Sequence, residues 1–135
     1  IINKINPGWQ WNIETFGKRS LYNYLLQQHT KTAYNYLAKE AFGAYLQTSK
    51  FAKRALIKAL KNRYNRLEEL KEIKAPCLVI AGESDRHITA QSSLATAKAL
   101  PNAQFYCYPQ TAHLLPWEIP EIILNDIDKW LKINI

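Results

Sequence analysis

Methionine is missing from the chain altogether, and its 135 residues begin Ile1-Ile2-Asn3. A natural translation product normally begins with methionine, and removal of that methionine is disfavoured before a bulky isoleucine. We therefore expect the chain to be a piece of a longer protein, natural or produced by cleavage. No basic and apolar leader with a small-residue cleavage site opens it, so the sequence carries no sign of secretion.

Cysteine is scarce. Two cysteines, Cys77 and Cys107, are too few for a disulfide framework, and both lie in apolar, strand-like runs where we expect buried free thiols. The three histidines show no metal-ligand spacing, so no metal is expected. No organic cofactor is implied either. These features together favour a reducing, cytoplasmic location.

Long hydrophobic runs are lacking as well. The longest nearly uninterrupted one, residues 76–81, is far short of the roughly 20 residues that a membrane-spanning helix requires. The composition, 47% hydrophobic and 21% charged, is that of one folded domain with a core.

Acidic residues are absent between positions 50 and 66, where cations accumulate: Lys50, Lys53, Arg54, Lys58, Lys61, Arg63 and Arg66. Because the chain also has a net charge of +7, this basic run could bind nucleic acid or an anionic membrane surface. Cations on the solvated side of an amphipathic helix are far commoner than either kind of binder, and no aromatic platform is interleaved with these cations. Neither nucleic acid nor membrane is therefore the expected partner.

The first half of the chain predicts helices. Residues 1–19 form an irregular segment with Trp9 and Trp11 as aromatic anchors, and a first helix follows with Ser20 as its N-cap. A second helix is predicted from Thr32 to Tyr45. A third, Lys50 to Glu72, carries a continuous apolar stripe.

The period changes at Pro76. Residues 76–81 are a β-branched run that predicts a strand buried on both faces, and residues 104–108 predict a second strand. Between them Thr89 can cap a helix, and Pro120 suits the first position of a final helix. The second half is therefore predicted as strand–helix–strand–helix.

A carboxylate and an imidazole follow the two predicted strands. Such a β-α-β unit makes its strands parallel, so their carboxyl ends meet at one edge of the sheet. Asp85 follows the first strand and His113 the second, which places them close enough to meet. An aspartate that accepts the Nδ1–H of an imidazole leaves Nε2 free to take a proton.

These segments resemble the C-terminal part of the α/β-hydrolase family. A Pro-led strand that ends in Gly82-Glu83-Ser84-Asp85, and Ala112-His113 followed by Glu118-Ile119-Pro120, are similar to the family's acid and histidine loops. The separation of 28 residues between acid and base is also typical of it. The resemblance covers residues 66–135 and implies that Asp85 is the triad acid and His113 the general base.

Several positions depart from the family's pattern. Ala112 stands where glycine is frequent, and Ile88 and Thr89 stand where a proline is common. More seriously, no Gly-x-Ser-x-Gly nucleophile elbow occurs, and Ser84 is too close to Asp85 in sequence to serve the same triad. His29 and His87 are interpreted as surface residues, and Glu118 as a support of the histidine loop or as the start of the last helix.

The expectation is an α/β fold: residues 1–72 form a helical lid, and residues 73–135 form the C-terminal part of the hydrolase sheet, two parallel strands with flanking helices. The implied function is hydrolysis by acyl transfer to water, in a fragment that lacks the nucleophile and is inactive alone. Ester, amide, epoxide, haloalkane and C–C bonds all stay open as substrates. The alternatives are a non-catalytic interaction module or a basic-helix binder. Expected partners are a small-molecule substrate and either the missing N-terminal half or a second copy, because the strand at 77–81 has an unpaired edge.

Overall fold

The computed structural model describes the backbone of residues 18–134, and the side chains of residues 22–134 except those of residues 42, 45 and 46. The irregular segment predicted for residues 1–19, with Trp9 and Trp11, lies almost wholly outside this range. Helices occupy the described chain up to Glu72, and strands alternate with helices after it. None of the helices among the described residues is long and apolar enough to cross a membrane.

Short helices make up the first part: α1 (Lys18–Leu25), α2 (Lys31–Tyr36), a π-helical turn (Leu37–Ala41), α3 (Phe42–Gln47), α4 (Lys50–Lys61) and a 3₁₀ turn (Leu67–Glu72). The predicted N-cap role of Ser20 is wrong, because Ser20 lies within α1. Thr30 caps α2 instead, since its side-chain oxygen accepts a hydrogen bond from the backbone N–H of Ala33 at 3.1 Å.

The third predicted helix is shorter than expected. It ends at Lys61 rather than Glu72, because Arg63 adopts a left-handed conformation with φ of 51°. The side chain of Asn65 then accepts from the N–H of Leu67 at 2.9 Å and starts the 3₁₀ turn. No residue of α4 is buried, and Leu60 on its apolar stripe is 69% exposed.

The second part follows the predicted order. Strand β1 (Cys77–Gly82) leads through α5 (Ala90–Ala99) to β2 (Ala103–Tyr108), and the two strands pair in parallel. Thr89 caps α5 as predicted, by accepting from Ser92 N at 3.3 Å. A short α6 (Leu115–Glu118) precedes the final helix α7 (Pro120–Asn134), in which proline takes the first position as predicted.

Two burial predictions are wrong. The first four residues of β1 are half-buried and only Ala81 and Gly82 are buried, because the sheet of the described chain consists of β1 and β2 alone. Cys107 is exposed, and Cys77 is half-buried. Successive strand side chains point to opposite faces, and β2 turns Tyr106 and Tyr108 toward α7, which leaves Cys107 on the other face.

Two apolar clusters hold these elements together. In one, Tyr108 packs with Leu115, Ile119 and Ile123, so that α6 and α7 cover one face of the sheet. In the other, Leu26, Ala33 and Leu37 pack against Leu114. The second cluster joins the N-terminal helices to the segment that follows β2, which is where His113 lies.

Candidate active site

Hydrogen bonds join the loops after β1 and β2 at the carboxyl edge of the sheet. Backbone N–H groups of Glu83 and Ser84 donate to the carbonyls of Tyr108 and Thr111, both at 2.9 Å. Gly82 lies so close to the second loop that a Cβ there would be 2.4 Å from the carbonyl oxygens of Thr111 and Ala112. Glycine is therefore required for this approach. The parallel register of β1 and β2 brings both loops to this edge.

Asp85 and His113 come together on this edge. The Nδ1 atom of His113 lies 2.9 Å from Oδ2 of Asp85, within hydrogen-bond distance. The other carboxylate oxygen, Oδ1, accepts the backbone N–H groups of His87 at 2.7 Å and Ile88 at 3.0 Å. Asp85 is buried, whereas the side chain of His113 remains 28% exposed. The acid is thus fixed by its own loop, and the ring it binds keeps access to solvent.

The environment of Asp85 favours its ionised form. Burial raises the pKa of this carboxyl, but hydrogen bonds from His113, Ile88 and His87 together outweigh burial and lower the pKa below its ordinary value. A carboxylate held in this state can stabilise a protonated imidazole beside it. With the proton of the neutral ring on Nδ1, the Nε2 atom on the far side is the one that can accept another.

A second imidazole adjoins the first. The ring of His87 meets that of His113 edge to face, with centroids 4.8 Å apart. The hydroxyl of Tyr24, from α1, donates to the carbonyl of Arg86 at 3.3 Å and lies 3.5 Å from Nδ1 of His87. His87 is exposed, as interpreted from the sequence, but its contact with His113 was missed. His29 is exposed too and bonds to the hydroxyl of Tyr34 at 2.7 Å.

The loop that carries His113 also contacts the N-terminal helices. The N–H of His113 donates to the carbonyl of Leu25 at 3.0 Å, where α1 ends. Glu118 accepts from Ala112 N at 3.1 Å, as a support of the histidine loop does, and it also accepts from the N–H groups of Gln27 and Gln28. Nothing local in the sequence shows this second contact, because the partners are about 90 residues apart.

Metal chemistry has no evident site in the described part of the chain. Nowhere within it do three or more histidine, cysteine, aspartate or glutamate side chains come together as ligands of a metal ion would.

Comparison with known proteins supports a common ancestry with hydrolases. No protein-family model matches the chain. The uncharacterized hydrolase YugF of Bacillus subtilis (strain 168) is 31% identical over 112 residues, which are 82% of this chain and 41% of YugF. The chain thus spans less than half of this relative's length.

Solved structures agree on the fold. An α/β-hydrolase enzyme from the metagenome of lagoon sediments at Mar Chica, Morocco, superposes with a TM-score of 0.54 at 26% identity, over 70% of this chain and 45% of that one. A serine hydrolase involved in carbazole degradation gives a TM-score of 0.63 over 87% of this chain and 46% of that one, at 19% identity. Together with the strand order and the loops described above, these matches show that the chain belongs to the α/β-hydrolase fold family, as its C-terminal part.

Proposed function

We propose that this chain supplies the acid and the base of a hydrolase's catalytic triad, Asp85 and His113. The single observation that carries the proposal is the 2.9 Å contact between Asp85 Oδ2 and His113 Nδ1 at the carboxyl edge of two parallel strands. In such a triad His113 takes the proton of a nucleophile through Nε2 and returns it to the leaving group. Asp85 holds the ring in the required tautomer and stabilises the imidazolium.

The nucleophile belongs, in this proposal, to residues outside the printed sequence. A Gly-x-Ser-x-Gly turn about 100 residues or more before Asp85 would supply the serine, since triad residues in this family follow the order nucleophile, acid, base. The reaction is then acyl transfer to water in two steps, and the chain alone is inactive. Its partners are a small-molecule substrate and either the remainder of the hydrolase sheet or a second copy of the chain, which would pair with the free edge of β1. The two cysteines, which are free thiols, suit a cytoplasmic setting.

Residues 1–72 act in this proposal as a lid, and residues 73–135 as part of the core. Three described contacts support it: the bond between His113 N and Leu25 O at 3.0 Å, the packing of Leu26 against Leu114, and the stacking of Tyr36 on Trp117 at 3.7 Å. They seat the helical part against the histidine loop, where a lid would cover the site.

The test uses the longer protein that the coding sequence upstream of Ile1 and this chain specify together, and the assay is hydrolysis of an activated ester. We expect Asp85→Asn and His113→Ala each to lower kcat by about 10³-fold or more. His29→Ala is the matched control, because His29 is exposed and bonds only to a neighbouring tyrosine hydroxyl in the described structure, so turnover should not change. Near-normal turnover in either triad variant would falsify the assignment.

A further inference from the structure

Glu118 is a buried carboxylate that the proposed chemistry does not use. It is only 3% exposed, at the end of α6. Its Oε2 atom accepts the backbone N–H groups of Gln27 at 2.9 Å and Gln28 at 2.7 Å. The backbone N–H of Ala112 lies 3.1 Å from Oε1 and 3.3 Å from Oε2. Three backbone amides from two distant segments therefore converge on one side chain.

Burial of a carboxylate is costly unless hydrogen bonds replace its lost water. Hydrogen bonds to a charged acceptor are shorter and roughly twice as strong as neutral ones, so three of them hold the donating segments firmly. Neither segment is helix or strand, because residues 27 and 28 follow α1 and residue 112 lies between β2 and α6. Glu118 thus supplies the acceptor that regular secondary structure would supply elsewhere.

The position of these donors connects Glu118 to His113. Ala112 precedes His113 directly, so its amide is fixed by Glu118 while the next amide, of His113 itself, is fixed by the carbonyl of Leu25. Both anchors act on the backbone from which the imidazole reaches Asp85. Leu25 in turn is two residues before Gln27, so the same short segment that binds Glu118 also binds His113.

We propose that Glu118 is a positioning residue that clamps the segment after α1 to the histidine loop, so that His113 meets Asp85 only while the helical part is seated. The base would then be aligned by closure of the helices rather than fixed by the sheet alone. The catalytic meaning of this clamp rests on the proposed function, but the clamp itself is testable without turnover.

Amide hydrogen exchange of the unmodified chain gives the first test. We expect the amides of Gln27, Gln28 and Ala112 to be protected although they lie outside regular structure, and to exchange at similar rates because they share one acceptor. Exchange of all three at the rate of an unstructured chain would overturn the proposal, and this measurement needs no variant.

Glu118→Gln gives the second test, because it keeps the shape and removes the charge and one of the two acceptor oxygens. We expect exchange to speed up roughly tenfold or more at residues 27, 28, 112 and 113. The low-field proton resonance of His113 Nδ1–H, identified by its loss in Asp85→Asn, should broaden or vanish. Glu121→Gln is the matched control, since Glu121 is exposed in the first turn of α7.

A merely structural role gives a different pattern. If Glu118→Gln speeds exchange equally along β1 and β2, or leaves the His113 resonance as it was, Glu118 does not position the base. A third outcome separates the two proposals. If the His113 resonance is lost in Glu118→Gln but the longer protein without substitutions does not hydrolyse esters, the clamp is retained and the hydrolase proposal is rejected.

Discussion

Gly82 shows how one missing side chain allows the two site loops to approach. A Cβ at this position would meet two backbone carbonyl oxygens at 2.4 Å, and neither can rotate away as a side chain could. We expect Gly82→Ala to lower the free energy of unfolding by about 1–3 kcal/mol or more, as overpacking of a close contact does. Urea unfolding followed by circular dichroism measures it.

Gly43 offers the matched control. It lies in α3, and a Cβ there would meet nothing within 4 Å apart from its chain neighbours and the backbone of its own helix. Gly43→Ala should therefore raise stability by roughly 0.5–1 kcal/mol, because alanine favours a helix. Equal effects of the two substitutions would contradict the close approach described at Gly82.

Asp85 makes stability depend on pH. Its pKa in the folded chain lies below its ordinary value, because the hydrogen bonds from His113, Ile88 and His87 outweigh the effect of burial. The unfolded chain therefore binds more protons at acid pH. The stability that Asp85 contributes is present above about pH 3.9, the ordinary aspartate value, and is lost as pH falls through the folded pKa.

Asp85→Asn should accordingly flatten the acid limb of a plot of unfolding free energy against pH between about pH 5 and pH 2. Asp128→Asn is the comparison, since Asp128 is exposed and pairs with Lys132 at the surface. An unchanged acid limb in Asp85→Asn would show that this carboxylate is not stabilised in the folded chain.

At the scale of elements, helix α4 ends because of one backbone conformation. Arg63, two residues after Lys61, has φ of 51°, which is unfavourable for any residue with a Cβ. We expect Arg63→Gly to leave stability unchanged or to raise it by up to about 1 kcal/mol. Arg54→Gly, which removes the same charge within α4, should lower helix stability by about 1 kcal/mol. Thermal melting followed by helical circular dichroism compares the two, and an equal loss in both would exclude a left-handed stop.

The same elements show which features the sequence could predict. The strands, the N-cap Thr89 and the first helical position of Pro120 depend on patterns within a few residues, and those predictions are confirmed. The end of α4 was missed because periodicity continues through residues 62–67 although the backbone does not. Burial of Cys107 was mispredicted because a run of apolar residues does not reveal which strand face is covered.

In the candidate site, the contact between Asp85 and His113 could be predicted from the topology, because parallel strands bring their carboxyl ends to the same edge. Two other contacts could not be predicted in this way. His87 against His113 and Glu118 against Gln27 require the placement of loops and of a segment remote in sequence, and no local pattern specifies either.

At the scale of the whole molecule, the free edge of β1 predicts association. Cys77 N and Glu83 N donate to the chain of β2, so alternation turns the N–H groups of Leu78 and Ile80 to the opposite edge. In the described chain that edge has no strand beside it. Exposed strand edges recruit other strands, so we expect light scattering to show association that increases with concentration.

Leu78→Pro should weaken this association, because proline removes an N–H from the free edge and none from the pairing with β2. Leu78→Ala, which keeps the N–H, is its control. A well-folded chain that stays monomeric at every concentration would contradict an available edge.

The clamp between residues 27–28 and Glu118 also bears on how the chain acquires its structure. Asp85 and His113 are 28 residues apart, whereas Glu118 and its partners are separated by 90 and 91. Closing the longer loop costs only about 1 kcal/mol more in chain entropy, but it requires nearly the whole described sequence to be synthesised first. On a growing chain the first helices therefore wait for their partner. We expect the β1–α5–β2 unit to form before the helices dock, so that docking, and with it the alignment of His113 on Asp85, is the late folding step.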